Sequence, residues 1–244
     1  MGKIIQISVF FLALSSFFLF LPKNIYAKWY YPMDKYYERQ TIKGFGEFID
    51  DNFYRGKEKL FPYNKFYGYH TAVDLEVFSN EIEKKVPVYA MSSGIITYIG
   101  TLSGYGGVIL EELDNENATV LYGHVKIKNL SIKVGDRITV ENNPIILTFL
   151  GEQFSSETSK ERKHLHFGVY NGVGLYFRGH ESSLSQVGKK WYDPNKFLKE
   201  KEALDPILEL TPIIPVRNTN DNSEEKKSFL YLLFSFLRRL INLQ

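Results

Sequence analysis

The sequence contains no cysteine. That excludes a disulfide framework, a thiolate metal site and a cysteine nucleophile, and it leaves no acceptor for a lipoprotein anchor. Charge of one sign is also scarce. A formal net charge of +2 over 244 residues is too small to argue for nucleic acid as a partner. Sustained helical periodicity is missing between residues 42 and 198, and no internal repeat is visible. What is abundant is aromatic: 17 Tyr and 19 Phe bring the aromatic share to 16%, which tilts the fold towards pleated, half-buried β structure. With 44% hydrophobic and 24% charged residues, the composition is that of a globular chain able to bury a sizeable core.

The one long apolar run lies at the start. Lys3 precedes residues 4–21, and a polar exit ends at Ile25-Tyr26-Ala27. A basic start, an apolar stretch and a small exit residue read as a secretory signal cleaved after Ala27. The 18-residue run is equally long enough to stay as a membrane anchor. In both cases the rest of the chain is expected to be exported. Residues 28–43 lead into the domain. Residues 44–198 form it, as short β-like runs broken by Gly, Asn, Asp and Ser; examples are Val86-Pro87-Val88-Tyr89-Ala90 and Thr119-Val120-Leu121-Tyr122. Residues 199–210 suggest a short helix limited by Pro206, within a linker spanning 199–227 whose residues 212–227 are too polar to bury a core. Residues 228–244 form an apolar tail. As a helix, residues 229–243 would span about 22 Å, short of a bilayer core of about 30 Å, and Arg238 and Arg239 oppose insertion. The tail is expected to lie at a membrane interface, to dock on a partner, or to pack on its own domain.

Four of the five histidines fall in three tight settings. In Tyr69-His70-Thr71-Ala72-Val73-Asp74, strand alternation puts His70, Ala72 and Asp74 on one face. In His164-Leu165-His166-Phe167 the two imidazoles share a face while Leu165 and Phe167 pack inward. His124 follows Gly123 at the end of a predicted strand. A catalytic zinc site uses three His, Asp or Glu ligands and leaves one position open. His70, Asp74 and one of His164 or His166 meet that need, and the remaining histidines are free to move protons or stabilise an oxyanion.

The order His-x-x-x-Asp, Tyr-Gly-His and His-Leu-His-Phe resembles the M23 metallopeptidases, including lysostaphin-like and LytM-like enzymes. The segments Gly104-Tyr105-Gly106-Gly107, Val134-Gly135-Asp136-Arg137-Ile138 and Tyr192-Asp193-Pro194 are similar to the family's intervening elements. The resemblance covers residues 44–198. It implies a mostly β, compact antiparallel sheet or sandwich with long loops and a groove over one sheet. It implies that His70, Asp74 and His166 bind Zn²⁺, and that His124 and His164 are the catalytic pair. The implied substrate is peptidoglycan peptide, cut at its cross-bridges. The N-terminal segment read above puts that work in the periplasm, cell envelope or outside the cell, and residues 1–27 or 228–244 are the candidates for membrane contact.

The chain departs from the family pattern in several places. Ala72 stands where the family usually has Gly. Residues 151–163 replace a short Gly/Ser/Thr-rich approach with a loop carrying Glu157, Lys160, Glu161, Arg162 and Lys163, expected to rim the groove. Residues 172–190 read as an insertion, and its His180 as an exposed loop residue. Glu76 either orients a ligand from behind or is a solvated strand residue. Two other functions fit the same motifs: a non-catalytic zinc-binding module that activates other wall hydrolases, and a metal-buffering protein. All five site positions are filled, which favours the enzyme.

Overall fold

The computed structural model describes residues 27–207, apart from Asn64 and Asn142. The apolar tail and nearly all of the signal or anchor segment lie outside the described residues, as does the linker beyond residue 207. Among the described residues, no helix is long and apolar enough to cross a membrane.

The architecture is mostly β. In chain order the strands are β1 (Phe48–Ile49), β2 (Gly68–His70), β3 (Val73–Glu76), β4 (Pro87–Tyr89), β5 (Gly94–Leu102) and β6 (Gly106–Leu113). There follow β7 (Thr119–Gly123), β8 (Arg137–Ile138), β9 (Ile146–Phe149), β10 (His164–Tyr170), β11 (His180–Glu181) and β12 (Trp191–Tyr192). The main sheet is antiparallel in the order β12-β10-β7-β6-β5-β8, with β3 also paired to β10. A small sheet β1-β2-β11 and the pair β4-β9 complete it.

Strand alternation distributes the central strands between two cores. Ile109, Val120, Tyr122, Leu165, Phe167 and Val169 pack in the larger cluster. Val108, Leu110 and Leu121 join Tyr105, Val187 and Trp191 in the second. Covering both faces explains why β6 and β7 read as nearly continuous apolar runs. His164 and His166 alternate with the core residues of β10 and so lie on the face opposite the larger cluster.

The sequence reading needs three corrections here. His70 and Asp74 do not share one strand: the chain bends at Thr71-Ala72, so β2 and β3 enter different sheets. The lead-in is part of the core, with Tyr30, Met33 and Tyr36 buried and Tyr30 N–H donating to Met91 O at 2.8 Å. Its end, residues 40–43, runs along the free edge of β3 through Glu76 N–H to Gln40 O, Asp74 N–H to Lys43 O and Ile42 N–H to Asp74 O. The helix expected over 199–210 is not continuous. One helix occupies Pro194–Glu200, where Asp193 caps the backbone N–H groups of Asn195 and Lys196 and Pro194 occupies the first turn. Helical backbone returns at Pro206 and Ile207, with residues 208–210 outside the described residues. Beyond it Leu204 N–H donates to Trp29 O, so the first linker residues still pack on the domain.

Candidate metal centre and histidine pair

Register builds the site. Across β10, His166 lies opposite Asp74 of β3 on one side and Gly123 of β7 on the other, and His164 lies opposite Glu76. Glycine is needed at 123: a Cβ there would stand 2.8 Å from the Tyr105 ring and 3.2 Å from His166 Cβ. The next residue, His124, turns its backbone into the left-handed region at φ 62°, one that histidine tolerates better than most residues. His70 comes in from β2, which is held by Gly46 N–H to His70 O and His70 N–H to Glu47 O.

These elements bring together all five residues singled out by sequence, and all are buried. His70 Nε2, Asp74 Oδ1 and His166 Nδ1 form one triangle, with sides of 3.2 Å between the imidazoles, 3.0 Å from His166 to Asp74 and 3.4 Å from His70 to Asp74. Four donors around a tetrahedral metal with bonds of 2.0–2.1 Å stand about 3.3 Å apart, so the triangle fits three corners of such a site. His70 Nδ1 donates to Gly44 O at 3.2 Å, which fixes its tautomer and leaves the Nε2 lone pair facing the triangle. His164 Nδ1 likewise donates to Arg162 O at 2.9 Å, leaving Nε2 as the basic atom, 3.5 Å from Asp74 Oδ2. The His124 ring lies over His164 with centroids 4.2 Å apart. His124 Nδ1, His164 Nε2, His166 Nε2 and Tyr105 Oη are buried without a hydrogen-bond partner. Buried polar atoms normally have partners, so this cluster is poised for something further.

The electrostatics agree. Burial raises the Asp74 carboxyl, but the His70, His164 and Lys43 charges outweigh it and hold the group well below the usual carboxylate range. Burial lowers His166 to about 4, against the opposing pull of Asp74. Burial, reinforced by His164, holds His124 well below the usual imidazole range. A neutral His166 imidazole beside an ionised Asp74 carboxylate suits a divalent cation.

A cavity of about 260 Å³ opens over the cluster, walled by Lys43, Phe66, Tyr105, Phe177, Arg178 and His180. His180 is exposed, as expected, but it lies on strand β11 and not in a loop. It pairs with His70 through β11 and stacks on Phe66 at 5.0 Å, so residues 172–190 supply one wall of the cavity. Thr71 ties that wall down, its N–H donating to Gly179 O and its hydroxyl to Arg178 O. The loop 151–163 does more than rim the groove, because Glu161, Arg162 and Lys163 are buried. Glu76 is not a solvated strand residue: it holds Arg162 at 2.7 Å. The sequence reading missed Lys43, Glu161, Arg162 and Tyr105 as members of the site. The quoted Gly104-Tyr105-Gly106-Gly107 segment was the available signal for the last.

Residues 68–177 match the sequence model of Peptidase family M23, a span that includes His70, Asp74, His124, His164 and His166. Over this span the chain is similar to the M23 peptidases. No curated protein matches it. Among solved structures the chain is similar to LytU, at 21% identity and TM-score 0.45 over 70% of this chain and 90% of that one. It is similar to CbpA from L. salivarius REN at 18% identity, TM-score 0.44, 71% of this chain and 96% of that one. It is also similar to the catalytic domain of the antimicrobial peptidase lysostaphin from Staphylococcus simulans, at 21% identity, TM-score 0.43, 67% of this chain and 94% of that one.

Proposed function

We propose that this M23-like domain is a zinc-dependent endopeptidase that hydrolyses peptide cross-bridges of bacterial peptidoglycan after export of the chain. The observation that best supports this reading is the His70–Asp74–His166 triangle, with donor separations suited to tetrahedral zinc, set beside two histidines with unpartnered nitrogens. His70, Asp74 and His166 hold the metal in this reading. Zinc, when bound, supplies Lewis acidity that polarises a peptide carbonyl and lowers the pKa of water towards about 7.

The chain's own residues supply the rest. His164, with Nδ1–H fixed on Arg162 O, accepts a proton at Nε2 and later returns it to the leaving amine. His124, kept neutral by burial, lines the cavity and donates a hydrogen bond to the developing oxyanion. Tyr105 Oη, buried and unpartnered on the same wall, is a second donor in reach of the cavity. The aromatic wall of Phe66 and Phe177 excludes water from the reacting amide. Residues 1–27 carry export, as a cleaved signal or an anchor, so that the domain acts in the periplasm, envelope or medium.

The test is digestion of purified peptidoglycan by metal-stripped and zinc-reconstituted protein, read as new amino groups and as muropeptide masses. Zinc-dependent release of amino groups supports the reading. Stoichiometric zinc binding with no release between pH 5 and 9 refutes catalysis and leaves a zinc-binding module that acts through other hydrolases.

A further inference from the structure

The two oxygens of Asp74 face different neighbours. Oδ1 belongs to the triangle with His70 and His166. Oδ2 faces Arg162 Nη2 at 3.4 Å and Lys43 Nζ at 3.7 Å. The same two cations meet again on Glu161 Oε2, Arg162 Nη1 at 3.2 Å and Lys43 Nζ at 3.8 Å. Asp74, Lys43, Glu161 and Arg162 therefore close a buried ring of alternating charge. Glu76 anchors it from outside, accepting from Arg162 Nη2 at 2.7 Å and from Nε at 3.0 Å on both oxygens. The Phe61 ring lies 4.7 Å from each cation. Three separate segments are tied together: the edge segment ending at Lys43, strand β3, and the loop before β10.

We propose that Arg162 is a positioning residue that fixes the Asp74 carboxylate so that Oδ1 alone is presented to the metal, with Lys43 and Glu161 completing the clamp. The inference rests on the zinc reading of the site. A carboxylate's terminal torsion is broad, so an unrestrained Asp74 samples both one-oxygen and two-oxygen presentation. A guanidinium fork, pinned by two carboxylates, removes that freedom in a way a flexible ammonium does not. The opposing effect is repulsion between the two cations and a divalent ion. Glu161 and Glu76 cancel it at a distance: the ring sums to zero formal charge, and with Glu76 the cluster carries −1. Orientation is therefore the larger effect, and support of this kind is worth about 10–100-fold in metal affinity.

The experiment uses the full-length parent and the variants Arg162→Ala, Arg162→Lys and Glu76→Gln, each stripped of metal. Zn²⁺ is titrated against a chromogenic chelator, and the visible spectrum of the Co²⁺ form is recorded beside the unfolding midpoint. Arg162→Ala is expected to weaken Zn²⁺ by about 10–100-fold and to change the Co²⁺ band. Arg162→Lys should recover part of the affinity, and Glu76→Gln should show a smaller loss. Zinc bound by Arg162→Ala as tightly as by the parent, or more tightly, overturns the proposal while the zinc reading stands. Where Arg162→Ala does not fold, parent-like affinity and spectrum in both other variants overturn it equally. A parent that takes up no zinc overturns the zinc reading and this inference with it.

Discussion

Replacing His124 separates chemistry from metal binding, because this residue stands beside the ligand triangle without belonging to it. Its Nδ1 makes no hydrogen bond, and its ring contacts are with His164, Tyr105 and His166. Losing the ring therefore removes packing but strands no partner. The backbone at φ 62° adds a second cost for alanine, about 1 kcal/mol, because alanine enters the left-handed region less readily than histidine. Asparagine enters it readily, so His124→Asn avoids that cost. The total, about 2 kcal/mol for alanine and about 1 kcal/mol for asparagine, is small against a domain stability of about 5–15 kcal/mol. Metal content should stay near that of the parent. Loss of a proton-transfer or oxyanion-binding group lowers turnover by about 10²–10⁴-fold, or about 3–5 kcal/mol of barrier. The assay is zinc content and turnover of a defined cross-linked muropeptide, measured together for the parent and both variants. A His124→Asn protein that keeps more than about a tenth of the parent rate refutes the assigned role. One that loses its zinc places His124 among the ligands.

The ligand assignment predicts that His166→Ala and Asp74→Ala lose both zinc and activity, whereas His164→Ala keeps zinc and loses rate; metal analysis of the three variants checks it, and the opposite pattern for His164 and His166 means that ligand and catalyst are exchanged. Glu111 predicts a pH-dependent stability: burial, opposed by the Tyr122 hydroxyl at 2.6 Å, raises its carboxyl from 4.5 to about 8. The folded state then holds a proton that the unfolded state releases first, so this stability is full below pH 4.5 and is lost as pH rises through about 8, by about 5 kcal/mol in total. Glu111→Gln should flatten that slope in denaturant unfolding between pH 5 and 8, and an equal slope in the variant refutes the buried-acid account. For the apolar tail, deleting residues 228–244 from a chain lacking residues 1–27 should reduce membrane fractionation; unchanged fractionation rules out an interfacial helix.

Local pattern made the chemistry legible and left its support hidden. His164 and His166 are two residues apart on one strand, so alternation alone puts both imidazoles on one face and Leu165 and Phe167 in the core. The same rule applied to His70 and Asp74 reached the right neighbours by the wrong geometry. The bend at Thr71-Ala72 sends β2 and β3 into different sheets, and it is the pairing of Asp74 with His166 that restores the contact. Pairing across strands is not written in spacing. Lys43 and Arg162 illustrate this most clearly. In sequence each is a charge in a polar stretch, which composition assigns to solvent. Their burial follows from residues 40–43 hydrogen-bonding along the edge of β3, and from Glu76 and Asp74 facing the loop before β10. A buried cation needs carboxylates close by. Here those carboxylates lie 31 and 88 residues away, for Lys43 to Asp74 and Arg162 to Asp74. A single sequence marks which residues can bind a metal by their type, but the side chains that aim them are chosen by the fold, so the departures at Glu161, Arg162 and Lys163 became interpretable only once the strands were paired.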